Sequence, residues 1–106
     1  MSVDIWPFIN MCERYLRNSN EELNIEEMNN KINQSLIFFE NVNPNTMSVR
    51  ECREFADNAA ICSCLMKSLQ QKENSFPINY LQLYNRYRYF VTLFLDRARD
   101  NDEMIL

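Results

Sequence analysis

The chain has 106 residues and none of them is glycine, which narrows its folds more than any residue it contains. Glycine enters positive φ without a steric penalty. Without it, a chain cannot build the tight loops in which backbone amides close around a phosphate or pyrophosphate. P-loops, dinucleotide-binding fingerprints and EF-hand loops are excluded on that ground. Histidine is also missing, which removes the usual general base near neutral pH and the commonest neutral metal ligand. This composition leaves a helical domain whose breaks are marked by Asn and Pro.

At 46% hydrophobic and 25% charged, the chain matches one domain, residues 1–106, folding around one core. A core of this size gives modest stability, so burial shared with a partner would matter. The longest apolar stretch, Ala59 to Met66, is far shorter than the roughly 20 residues needed to cross a bilayer. The start, Met1 to Arg17, carries Asp4 and Glu13 and does not read as a secretory signal. An intracellular protein of cytoplasm or nucleus is expected, neither secreted nor membrane-bound. Cys12, Cys52, Cys62 and Cys64 have no CxxC spacing and read as structural thiols. On a helix, Cys62 and Cys64 diverge by about 200° and cannot hold one metal together.

Hydrophobic spacing predicts an all-α fold, a small bundle of about four helices near 3–17, 20–41, 47–72 and 77–99, with no sheet and a short, frayed acidic tail over 100–106. In the first helix Ile5, Phe8, Ile9, Cys12 and Leu16 form the inner stripe, with Pro7 tolerated in the opening turn. The second has two competing start signals, Ser19 with Glu22 and Asn24 with Glu27, followed by a core stripe of Ile25, Met28, Ile32, Leu36 and Phe39. Asn43-Pro44-Asn45 then breaks the chain. Ser48-Val49-Arg50-Glu51 is a capping box for the third helix. Its inner side is Val49, Cys52, Phe55, Ala56, Ala59, Cys62, Met66 and Leu69, with Ala56, Ala59 and Ala60 leaving room for a close neighbour. The fourth helix is expected to open at Pro77.

Seven of the thirteen aromatic residues lie between Phe76 and Phe94, and they do not keep to one face of the fourth helix. Tyr80, Leu83, Tyr87, Phe90 and Phe94 make one stripe, and Leu81, Tyr84, Val91 and Leu95 another. Two arrangements satisfy this pattern. The helix could be the enclosed centre of its own bundle, or one stripe could face the core and the other a second protein surface. For the second case the expected contact residues are Tyr80, Tyr84, Arg88 and Leu95, with Tyr87, Phe90 and Phe94 in the core.

Charge is also unevenly placed. Five glutamates against Lys31 between Asn18 and Asn45 leave four net negative charges. Arg86, Arg88, Arg97 and Arg99 against Asp96 leave three net positive ones in the fourth helix. These segments could be complementary solvated neighbours, or could orient a charged partner. Nucleic acid is not an expected partner. Arg86 and Arg88 point about 200° apart on a helix, and a chain of net charge −4 has few cations to set against phosphates.

No catalytic, cofactor-binding or metal-ligating residues are expected. Adjacent glutamates diverge around a helix, a diiron bundle needs histidines, and a cysteine nucleophile here lacks its histidine partner. Neither a cofactor nor a small-molecule substrate is indicated. The expected function is therefore that of a non-enzymatic protein-interaction module, a self-associating adaptor, scaffold or structural component, forming a homodimer or larger homo-oligomer through the aromatic helix. The alternative is a monomeric regulatory or inhibitory accessory protein that binds one specific host or cellular protein. An arginine and aromatic nucleic-acid binder ranks third. Abundant Asn and a preference for Arg over Lys give the composition a faint viral cast, and no motif identifies a family.

Overall fold

A computed structural model of the chain describes residues 5–18, 25–72 and 79–105, with side chains described over 5–18, 26–70 and 79–99. The fold is all-α. The described residues form four α-helices, α1 (Trp6–Arg17), α2 (Ile25–Asn41), α3 (Val49–Lys72) and α4 (Tyr80–Ile105), with a 3₁₀ turn at Pro44–Thr46 and no strand. None of the described residues has positive φ, in keeping with a chain that lacks glycine. The contacts gather into two compact units, Met1–Val42 and Asn43–Leu106, and the division falls at the Asn-Pro break.

In the first unit, α1 buries Phe8, Ile9, Cys12 and Tyr15, with Ile5 buried at its N-cap. Leu16, expected in this stripe, is instead 41% exposed. Both Tyr15 and Leu16 lie within reach of the apolar sector at the helix end, and the larger ring is the one covered. The α2 stripe is as expected where side chains are described, with Met28, Ile32, Leu36 and Phe39 all buried. Ser35, fully buried beside them, donates its hydroxyl to the Ile32 carbonyl at 2.8 Å, so the hydroxyl costs little to bury. The two start signals read at Ser19 and Asn24 lie outside the described residues.

The second unit opens on a chain of local hydrogen bonds. Asn43 Oδ1 accepts from the Asn45 amide at 3.0 Å, and Thr46 Oγ1 donates to the Asn43 carbonyl at 2.9 Å. The side chain thus holds the turn that Pro44 forces on the backbone. The capping box follows as spelled. Ser48 Oγ accepts from the Glu51 amide at 3.1 Å, and the Glu51 carboxylate accepts from the Ser48 amide at 3.3 Å. Two orphan donors of the first turn are satisfied reciprocally.

Helices α3 and α4 pack along each other. Phe55 of α3 meets Phe94 of α4 edge-on, with centroids 5.7 Å apart, and Phe90 stacks near Phe94 at 6.5 Å. Ala56, Ala59, Cys62 and Ser63 are buried on α3, and side chains this small allow a close approach. The α3 stripe runs wider than expected, taking in Leu65 and Asn58. The Asn58 amide nitrogen is buried without a hydrogen-bond acceptor, an arrangement that costs about 1–3 kcal/mol.

Both ends of α4 differ from expectation. It begins at Tyr80, because Asn79 Oδ1 accepts from the Gln82 amide at 3.1 Å and so serves as the N-cap; Pro77 lies outside the described residues. At the other end the helix continues to Ile105, through the segment expected to fray. No Gly or Pro stands between Arg99 and Leu106 to stop it, and Glu and Met favour continuation.

Candidate protein-binding face of the fourth helix

The cap at Asn79 sets where α4 begins, and the 100° step between residues does the rest. Tyr80, Tyr87, Phe90, Val91, Phe94 and Ala98 are buried and fall within one sector. Val91, expected in the second stripe, falls in this sector at its near edge, and of that stripe only Leu81 and Leu95 are left exposed. Leu81 is 51% exposed and Leu95 43% exposed. They lie seven residues to either side of Arg88, and a seven-residue step drifts only about 20° around a helix. Leu81, Arg88 and Leu95 therefore form a nearly straight line along one flank, about 21 Å long at 1.5 Å per residue. Tyr84, half-buried, borders this line on its inner side, and exposed Arg99 continues it.

Of the four residues expected to make contact, the structure brings Tyr84, Arg88 and Leu95 together on this flank. Tyr80 is not among them. It is 3% exposed and belongs to the core, because its position falls in the same sector as Tyr87 and Phe94. Leu81, named in the sequence only as part of the second stripe, takes its place. Thr92, on the same flank, donates its hydroxyl to the Arg88 carbonyl at 3.1 Å, tying it to its own helix.

Other exposed apolar side chains were not singled out by spacing. Tyr89 is 63% exposed, with its ring edge-on to Phe90 at 5.6 Å. On α2, Ile37 is 52% exposed. Nine positions after Met28, Ile37 lies half a turn from the α2 core stripe, so its exposure was legible as the apolar residue furthest out of phase. Exposed Glu26 and Glu40 share its side of α2. Two exposed ion pairs are local, Glu13 with Arg17 at 3.3 Å and Arg50 with Glu54 at 3.4 Å. Each joins residues one turn apart and contributes only a few tenths of a kcal/mol, ~0.3–0.5.

The thiols divide by helical phase. Cys12, Cys52 and Cys62 are buried, Cys64 is exposed, and none is in a disulfide. Burial pushes the Cys52 thiol above its ordinary value, only partly opposed by the nearby Arg97 charge, while Glu51 pushes it further up. Its sulfur lies 3.9 Å from the Pro44 carbonyl, toward which the S–H points as a weak donor. Such a thiol is held protonated and is not activated as a nucleophile.

Among the described residues no three Cys, Asp or Glu side chains gather in a way that could hold a metal ion. No helix there is long and apolar enough to cross a membrane. No family model matches the chain, and neither a curated protein nor a solved structure was found to match it.

Proposed function

We propose that the chain is a non-enzymatic protein-interaction module that self-associates in an adaptor, scaffold or structural role, and that its contact surface is the α4 flank of Leu81, Tyr84, Arg88 and Leu95. The observation that carries this reading is the pair of half-exposed leucines in line with Arg88. Fully burying a leucine is worth about 1.5–3 kcal/mol, so the part still exposed on each is worth on the order of 1 kcal/mol. Two such contacts do not offset the entropy lost on association. Tyr84, the arginines and the opposing surface must supply the rest, which is why the surface is a face of the helix and not two points.

Light scattering on the reduced protein over a concentration series tests the reading. The expected result is a mass of twice the chain or more at high concentration, lost in a Leu81→Ala/Leu95→Ala variant whose helical circular dichroism is unchanged. A monomer at every concentration would refute self-association and redirect the flank to a different protein, as in a monomeric regulator.

A further inference from the structure

We propose that the surface received by the α4 flank is the acidic face of α2 on a second copy of this chain, so that copies join head to tail. The inference rests on the reading of α4 as a self-association surface and names what lies opposite it.

The first reason is the position of Arg88. Because it sits midway between Leu81 and Leu95, both symmetric pairings that match the two leucines of one copy with the two of the other bring Arg88 against itself. An in-register parallel pairing sets Arg88 against its own counterpart. An antiparallel pairing that places Leu81 against Leu95 does the same, since the two-fold axis then passes through position 88. Like charges opposed in an interface work against pairing, and a single charged residue in a helical seam commonly decides which partner is accepted. The surface that fits must offer carboxylates.

The second reason is that the chain carries such a surface. Ile37, 52% exposed, is centred on the solvent face of α2, with Glu40 three residues later and Glu26 three turns earlier, both exposed on the same side. Across its described length, α2 has three exposed glutamates, Glu26, Glu27 and Glu40, and Lys31 half-buried. The flank of α4 is its complement in both respects, with leucines for Ile37 and with Arg88 and Arg99 for the glutamates. Two different surfaces meeting in this way form a heterologous contact, which closes into a ring, the smallest being a reciprocal pair, or grows into open chains.

Charge reversal tests the pairing. Arg88→Glu/Arg99→Glu alters only the α4 surface, and Glu26→Lys/Glu40→Lys only the α2 surface. Each variant alone should associate at least about tenfold more weakly than wild type, a tenfold loss being the least expected from opposing like charges. Variant chains mixed in equal amounts retain one intact α4 and one intact α2 between them. The reversed α4 also meets the reversed α2 with opposite charge, so the mixture should recover, as alternating copies of the two variants, the association that neither shows alone. Helical circular dichroism of each variant confirms folding, and the neutral versions Arg88→Gln and Glu26→Gln, expected to weaken association less, serve if a reversal unfolds the chain. Wild-type association that the α2 reversal leaves unchanged overturns the head-to-tail pairing while keeping α4 as the contact surface. A wild-type protein that stays monomeric at all concentrations overturns both.

Discussion

Phe94 and Leu95 are neighbours in sequence, and α4 sends one into the core and leaves the other in water. Phe94 is fully buried, with Phe55 edge-on at 5.7 Å and Phe90 stacked at 6.5 Å. Truncating a buried Phe to Ala typically costs about 3–5 kcal/mol, as lost transfer energy plus the cavity left behind. Each ring pair is worth ~0.5–1.5 kcal/mol beyond area, which places Phe94→Ala toward the upper end. Leu95 is 43% exposed, so Leu95→Ala gives up only the covered part of the side chain and should cost about 1 kcal/mol. Domains of this size hold ~5–15 kcal/mol in total, and the first change should remove a large part of that. Urea unfolding followed by far-ultraviolet circular dichroism, at a concentration low enough to keep the protein monomeric, measures both. The midpoint should fall several times further for Phe94→Ala than for Leu95→Ala. Equal losses, or a Phe94→Ala cost below about 1 kcal/mol, would refute the assignment of buried and exposed sectors on α4, and with it the proposed contact face.

Ser48→Ala removes the hydroxyl that accepts from Glu51 and should cost about 0.5–2 kcal/mol by the same urea measurement; no change would mean that the capping box contributes nothing to the start of α3. Brief alkylation of the native protein, read by peptide mass spectrometry, should modify Cys64 well before Cys12, Cys52 or Cys62, following their burial. Because burial raises the folded Cys52 thiol above its unfolded value, the folded state holds this proton more tightly. The stability it contributes is intact below the unfolded thiol value of about 8.5 and is lost as pH rises through the folded value. Stability should therefore fall more steeply in the alkaline range for wild type than for Cys52→Ala, and identical pH profiles would contradict the shift.

The features most fully legible in the sequence were those that a few adjacent residues settle. The Ser48–Glu51 box is spelled in four letters, and its two hydrogen bonds form between those same residues. The Asn43-Pro44 turn is equally local, and the α2 stripe has only one apolar line to choose. Asn79 could have been read as a cap in the same way, but Pro77 offered a competing start two residues earlier. Less legible were the places where two answers share one helical phase. Tyr15 and Leu16 compete for the end of the α1 stripe, and Tyr80 belongs by spacing to the α4 core as well as by chemistry to a contact surface.

From sequence alone, the absence of glycine removed the residue that most readily supplies positive φ, and none of the described residues has it, while hydrophobic spacing determined which residues share a line along each helix. The period of a helix carries no information about which line a neighbour will cover. On α4 two apolar lines lie one residue step, about 100°, apart, and only the packing against α3 decided that Tyr87 and Phe94 go inside while Leu81 and Leu95 remain in water. One flank of one helix covers only a limited sector of its neighbour, so where a sequence supplies more apolar surface than that sector holds, the tertiary structure determines what is left exposed.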